Sequence, residues 1–456
     1  MMDTATAAGV VRGRVVGGSV RFLRVTTDSR ALAPGDLFVA LAGERFDGHD
    51  FVATAFERGA VAALVAADRA PGIGGNLVAV ADPLAALGQL ARHWRRGFAL
   101  PVIVVVGSNG KTTVKEMLAA VLRAHFGDDA VHATRGNLNN AIGLPLTLLA
   151  LRAQHRVAVI ELGMNHPGET AELAAIAQPT VALINNAQRE HQEFMRSTAD
   201  VAAEHAALLR ALPADGVSVL NGDDAQVGLW RAAARGHGSV VEFALDQAAE
   251  VHGAYLPAGG AGTLELATAA GDATVRLAVP GRHNAANALA ATAAALAVGV
   301  PLSAVKRGLE AFRPVAGRLV ARQAANGVVV IDDSYNANPD SVRAAIDVLA
   351  EMPGPKWLVL GDMGEVGAQG PAFHREVGAY ARARGVDRLL TAGALATESA
   401  AAFGAGAETF ATVDALGERL AHDAPAGATV LVKGSRFMRM ERVVAVLAGG
   451  PAGGAH

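Results

Sequence analysis

Cysteine is absent from the 456 residues, which excludes disulfides and cysteine-ligated zinc and suits a reducing compartment. A charge excess of one sign is missing too: 40 Lys and Arg against 43 Asp and Glu leave a net charge of −3. A general nucleic-acid binder is therefore disfavoured, and any polyanionic ligand must meet local cations. The start, Met1 to Val16, lacks the apolar core of a secretory leader, so none is expected. The most apolar stretch, 285–300, is alanine-dominated, contains Asn287 and is shorter than a membrane span, so it reads as a buried helix and no membrane insertion is expected. With 51% hydrophobic and 18% charged residues the chain is a folded one. It is too long for one core, and about two to four domains are expected.

What is present begins with Val102 to Thr113. PVIVVV reads as a central parallel strand running straight into GSNGKTT, with a helix-like VKEMLAAVLRA after it. Gly107 and Gly110 let backbone N–H groups turn toward a polyphosphate, Lys111 brings a point charge to its outer phosphates, and Thr112 stands where a loop hydroxyl ligates Mg²⁺. The common G-x-x-x-x-G-K-[ST] spacing would need glycine at Val105; the shorter G-x-x-G-K-T-T stands instead. Strand, glycine-lysine turn and helix in that order argue for a phosphate loop over a tight turn with an incidental lysine.

Three blocks follow from the alternation of elements. Residues 1–98 mix short strand-like runs (DLFVALAG, AVAALVAAD, NLVAVAD) with a helix-like DPLAALGQLARHWRRG, whose basic end is expected to be a solvated face. Residues 99–315 alternate the strands PVIVVVG, RVAVIELG, TVALINN and VSVLNGDD with helices, then close with a hairpin-like LELATAAGDATVRLAVPG and the alanine-rich helix. Such strands end along one edge, where Gly107, Glu161, Asn185 and Asn221 can share a site. Residues 316–456 repeat the alternation (GVVVIDD, KWLVLGD, DRLLTAG, TVLVKG) beyond a Pro/Gly stretch, FRPVAGR, suited to a hinge at Arg313 to Gly317. The Gly/Ala-rich tail beyond Leu447 is expected to fray. Two α/β domains about a hinge make a cleft for a two-substrate reaction.

Several patterns stand together in one order: TTDSRALAPGDLFVALAGERFDGHDF, GSNGKTT, RGNLNNAIGLPLTLL, IELGMNHPGE, NNAQREHQEF, GRHNAANALAA, DDSYNANPDS, LGDMGEVG and LVKGSRFMRME. Over nearly its whole length the chain resembles the Mur ligase family of ATP-dependent amide-forming enzymes. The resemblance implies three α/β domains: a small uridine-nucleotide-binding domain, a central P-loop parallel-sheet domain and a C-terminal Rossmann-like domain. Within the family the TDSR…PGDLFVAL and DDSYNANP segments are similar to the dipeptide-adding branch, and the DNPR-type signature of the third-residue-adding branch is absent. The implied substrates are UDP-N-acetylmuramoyl-tripeptide and D-alanyl-D-alanine, the cofactors ATP and Mg²⁺, and the setting a cytoplasmic, monomeric enzyme without nucleic-acid partners.

Residue by residue, the resemblance implies that Gly107, Ser108, Asn109, Gly110, Lys111, Thr112 and Thr113 hold the phosphates, with Thr112 on the metal. Glu161 would be a carboxylate metal ligand, against the alternative of an exposed strand-end glutamate. His191 would ligate or place a second Mg²⁺, although imidazole is an unusual ligand for that ion. Asn284 and Asn287 resemble adenine-binding asparagines, with helix capping as the alternative for Asn284. Arg318 would reach the nucleotide phosphates and Asp333 the ribose; Ser29 and Arg30 would contact the UDP sugar. Asn336 and Asn338 would receive the dipeptide, with turn and cap roles competing. Lys433 and Arg436 are expected near the cleft's anions. Many members carry a carbamylated lysine after the HQEF-like segment, but 197–210 contains no lysine, so Glu204 is expected to supply the metal's oxygen, with water as the alternative.

The chemistry agrees. A carboxylate is a poor electrophile, and amide formation in water needs it phosphorylated first, in a preorganised site rich in positive charge. The rivals are another amide ligase, a P-loop switch or motor hydrolysing ATP without an acceptor, and a nucleotide-binding protein that makes no product.

Overall fold

The computed structural model describes residues 1–44, 46–324 and 326–448; of the tail expected to fray, 449–456 lie outside the described residues. Three sheets follow one another along the chain. The first holds β1 (Arg14–Val16), β2 (Arg24–Thr26), β3 (Asp36–Val39), β4 (Ala60–Ala66) and β5 (Leu77–Val80), ordered β1-β5-β4-β3-β2. The second holds β6 (Val102–Val106), β7 (Val131–Ala133), β8 (Val157–Glu161), β9 (Val181–Ile184), β10 (Val217–Asn221), β11 (Ser239–Ala244), β12 (Val251–Ala258), β13 (Ala261–Thr268) and β14 (Gly271–Leu277). Their order is β14-β13-β12-β11-β10-β9-β6-β8-β7. The third holds β15 (Val320–Gln323), β16 (Val329–Asp333), β17 (Lys356–Gly361), β18 (Arg388–Ala392), β19 (Ala407–Phe410) and β20 (Thr429–Lys433), ordered β15-β16-β20-β17-β18-β19.

The expected strands are present. The hairpin β13–β14 is antiparallel, and β12 extends it by a third strand that the sequence reading did not mark. β6 lies between its parallel neighbours β8 and β9. The strand order reverses at β6, which opens a crevice at the carboxyl ends, where open α/β sheets bind ligands.

Side chains alternate along β6. Val102, Val104 and Val106 face one apolar cluster, Ile103 and Val105 another. The second cluster includes the helices Lys111–Phe126, Arg282–Ala297 and Leu302–Ala311. Its alanine-rich member is the expected buried helix, and no described helix is long and apolar enough to cross a membrane. The first cluster continues into the amino-terminal unit through Phe22, Leu37, Leu64, Leu87 and Leu90, so the first two sheets share one core. The third sheet has its own clusters: Leu358 and Leu360 on one face, Trp357 and Val359 on the other.

The basic run on helix Pro83–Arg95 departs from the expected solvated face. Arg92, His93 and Arg96 are exposed, but Arg95 is 6% exposed. Its guanidinium donates to the carbonyls of Phe98, Ala177 and Gln178 at 2.7, 3.2 and 3.1 Å. Three carbonyl acceptors replace the water a buried guanidinium loses, so this arginine fastens the first unit to the second.

Candidate active site

The carboxyl ends of β6, β8 and β9 and the loops after β16 and β20 enclose a cleft of about 1560 Å³. That exceeds the roughly 300–1,000 Å³ of a single small-molecule site. Its floor is the turn after β6. Gly107 has φ +145° and Gly110 φ +82°. A Cβ on Gly110 would stand 2.4 Å from Asn287 Oδ1 and 2.7 Å from Asn185 Nδ2, so glycine is required for both space and conformation. Helix Lys111–Phe126 starts at Gly110 with no side chain capping it; its first amides and the positive end of its dipole face the cleft, as an anion site needs.

The loop after β9 props this turn. Asn185 and Asn186 donate to the Asn109 carbonyl at 2.8 and 2.9 Å. Asn109 N donates to Asn186 Oδ1, and Gln188 N to Ser108 Oγ. Lys111 Nζ donates to the carbonyls of Gly107 and Ser108 at 2.5 and 3.3 Å and lies 3.4 Å from Glu190 Oε2. The sequence reading passed over Glu190. It is buried, with Oε1 3.4 Å from His205 Nε2 and Oε2 3.7 Å from His191 Nε2. Burial pushes its carboxyl up, but Lys111, His205 and His191 outweigh burial and hold it down at about 2. The available signal was its place between Arg189 and His191 in the REHQEF segment.

Ser108, Asn109, Gly110, Lys111, Thr112 and Thr113 line the cleft, while Gly107 lies beneath it against Asn185. Glu161 ends β8 in the same cleft; Asn139 Nδ2 donates to its Oε1 at 2.7 Å, and its buried Oε2 has no partner. The orphaned Glu161 oxygen and the Thr112 hydroxyl, both in the lining of this cleft, are hard-oxygen donors of the kind Mg²⁺ prefers. Among the described residues no three His, Asp or Glu side chains converge as a metal site. Phosphate and water would therefore complete the shell of an ion here, as is usual for Mg²⁺. On that observation the residues fit the ion.

His191, with φ +48°, lines the cleft and places Nδ1 2.6 Å from Glu365 Oε2 in the C-terminal domain. Asn284 and Asn287 also line the cleft, Asn287 beside the Gly110 turn. Asn287 Oδ1 accepts from Asn185 at 2.8 Å, and Asn284 Nδ2 donates to the Pro280 carbonyl at 2.7 Å.

From the third sheet come Arg318, whose Cζ lies 4.3 Å over the Tyr335 ring, and Asp333, whose Oδ2 accepts from Lys433 Nζ at 2.5 Å. Burial raises the Asp333 carboxyl, with Lys433 opposing it. Asn336 and Asn338 line the cleft beside Lys433 and Arg436. Asn338 caps helix Pro339–Glu351 through Ser341, and it exchanges hydrogen bonds with Asn109 at 2.9 and 3.2 Å.

One expectation, a cleft-facing Glu204, is not met. Glu204 does not line the cleft; its carboxylate accepts from the amides of Gly168 and Thr170 at 2.9 and 2.8 Å. It caps the start of helix Glu169–Ala177, and the neighbouring His205 faces Glu190 instead. Ser29 and Arg30 lie between β2 and β3, outside the cleft lining; Arg30 is exposed and pairs with Asp28.

The fold and this site define an α/β protein with a glycine-lysine turn of the P-loop type, whose cleft is bordered by a second α/β domain. Residues 22–95 match the Mur ligase family catalytic domain, 105–295 the Mur ligase middle domain and 317–436 the Mur ligase glutamate ligase domain. The chain is 42% identical to the UDP-N-acetylmuramoyl-tripeptide–D-alanyl-D-alanine ligase of Escherichia coli K12, with 96% of each chain covered. Its structure is similar to that of MurF from Acinetobacter baumannii, with TM-score 0.90, 34% identity and coverage of 98% of this chain and 99% of that one. It is also similar to the MurF ligase of Thermotoga maritima in complex with ADP, with TM-score 0.82, 28% identity and coverage of 93% and 97%. The chain belongs to the Mur ligase family.

Proposed function

We propose that this protein is an ATP-dependent ligase that joins D-alanyl-D-alanine to UDP-N-acetylmuramoyl-tripeptide, releasing ADP and phosphate and completing the cytoplasmic peptidoglycan precursor. The observation that carries the reading is the single cleft shared by Lys111, Glu161 and the SYNANP loop of the C-terminal domain. In this reading residues 1–98 take the uridine end of the precursor through Ser29 and Arg30, 99–315 hold the nucleotide, and 316–456 present the dipeptide.

The amides at 110–113 and the Lys111 ammonium bind the polyphosphate and offset the charge of the incoming tripeptide carboxylate. Thr112 and Glu161 would hold Mg²⁺, which would supply neutralisation of phosphate charge. A carboxylate oxygen of the tripeptide attacks the terminal phosphorus, the bond to the bridging oxygen breaks and ADP leaves. The dipeptide amine, after loss of a proton, then adds to the acyl-phosphate carbon, and collapse of the tetrahedral adduct expels phosphate and leaves the amide. Asn284 and Asn287 border the adenine region, and Arg318 and Asp333 the phosphates and ribose. Asn336 and Asn338 sit where the amine must arrive.

The test is a product assay with ATP, Mg²⁺, the UDP-muramoyl tripeptide and D-alanyl-D-alanine. The expected result is pentapeptide product with one phosphate released per amide. ATP hydrolysis independent of acceptor, with no new amide, would overturn the reading; amide formation from the shorter precursor and a free third amino acid would redirect it to the third-residue-adding branch.

A further inference from the structure

Residues 188–193 touch both sides of the cleft in alternation. Gln188 Oε1 accepts from Asn109 in the phosphate loop at 2.6 Å. Arg189 turns the other way. Its backbone N–H donates to Asp340 Oδ2 at 2.9 Å, Nη2 to Asp340 Oδ1 at 2.6 Å and Nη1 to Glu376 Oε2 at 2.6 Å. Phe373 lies under the guanidinium at 5.2 Å, and Glu376 accepts from Arg343 as well at 2.8 Å. Glu190 turns back toward Lys111 and His205. His191 meets Glu365, whose carbonyl also accepts from Glu193 N at 3.2 Å.

We propose that Arg189 is a positioning residue for phosphoryl transfer: it fastens the C-terminal domain to the loop carrying Glu190 and so sets where Glu190 holds Lys111. The proposal rests on the ligase reading above. Arg189 and Glu190 are consecutive, and the Arg189 amide and side chain are both gripped by the opposite domain, so an undocked domain releases the backbone that aims Glu190. A fork-shaped cation between two carboxylates fixes orientation as well as distance, which a point charge does not. Displacing a phosphate-handling group by about an ångström is enough to cost on the order of 10²-fold in rate. The three side chains retain 23%, 24% and 31% exposure, so the latch is open to screening by salt.

The experiment measures ligation by wild type, Arg189→Ala, Arg189→Lys and Asp340→Asn, as kcat and the KM for ATP, from about 0.05 to about 0.5 M salt, where the screening length falls below about 10 Å. The expected result is a kcat loss on the order of 10–100-fold in Arg189→Ala with the KM for ATP little changed. Arg189→Lys should recover part of it, and both Arg189→Ala and Asp340→Asn should depend less on salt than wild type. Wild-type kcat in Arg189→Ala overturns the proposal, as does a loss that keeps the full wild-type salt dependence. Asp340→Asn leaves the Phe373 packing intact and covers the case in which Arg189→Ala does not fold. Wild type that makes no pentapeptide at any salt refutes the ligase reading; active wild type matched by Arg189→Ala refutes the latch alone.

Discussion

Two lysines line the cleft from different domains, one at a strand end and one at a helix start. Lys433 ends β20 with its side chain 4% exposed, 2.5 Å from Asp333 Oδ2 and 2.9 Å from the Asn336 carbonyl. Lys111 follows β6 with its side chain 18% exposed, and its nearest carboxylate is 3.4 Å away. The first is locked in a short contact in a dry setting, where removal of either partner strands a charge. The second has a neutral carbonyl, that of Gly107, as its 2.5 Å partner and its carboxylate only at 3.4 Å, so its charge is less fully matched and an arriving phosphate can take it over. A charged side chain held for structure and one held in readiness are thus distinguished by whether the partner at shortest range is a carboxylate or a neutral carbonyl.

Lys111→Ala should break this comparison most severely. Ligation is expected to fall on the order of 10³-fold, while circular dichroism and the unfolding midpoint stay near wild type, because Glu190 keeps His205 and His191 as partners. Full activity would remove Lys111 from the phosphate role. Lys433→Met should do the reverse and destabilise the protein by about 3 kcal/mol, the scale for breaking a buried pair, as read by urea unfolding. Its deficit should also depend on pH. The Asp333 carboxyl is raised above its ordinary 3.8 in the folded state and rises further without the lysine. Its contribution is therefore intact below about 3.8 and is lost as pH climbs through the raised value. Unfolding of Lys433→Met should show a smaller deficit against wild type at pH 5 than at pH 8; a constant deficit would mean Asp333 does not carry it. The smallest effect is expected from Glu204→Ala, with stability lower by about 1 kcal/mol through the lost cap and magnesium dependence of turnover unchanged. A shifted magnesium requirement would return Glu204 to the metal.

The strand, glycine-lysine turn and helix at the cleft floor were legible because they are local: a buried strand, two glycines and a lysine within a dozen residues mark them without knowledge of the rest. Glu161 was legible for a related reason, since the end of an apolar parallel strand places it on the ligand edge. Arg189 and Glu190 were not, because their partners lie far along the chain, at Asp340, Glu376 and Lys111, and no pattern near REHQEF names them. Glu204 failed for a geometric reason. Consecutive helix residues point about 100° apart, so on helix Thr198–Ala206 either Glu204 or His205 can face the cleft cluster, and it is His205. The edge strands β15 and β19 were missed because their short, polar sequences, VARQ and AETF, carry little of the apolar signal that marked the central strands.

The exchange between Asn109 and Asn338, in which each amide both gives and receives, bears on inhibitor discovery. A fragment truncated ahead of Arg313 would contain every atom of the phosphate loop and lack one of the two amides that hold its second side chain, keeping Gln188 and losing Asn338. Compounds selected against that fragment would be fitted to a slackened mouth. A small molecule wedged at the seam between these two asparagines would prise the halves apart at the mouth of the cleft that both of them line.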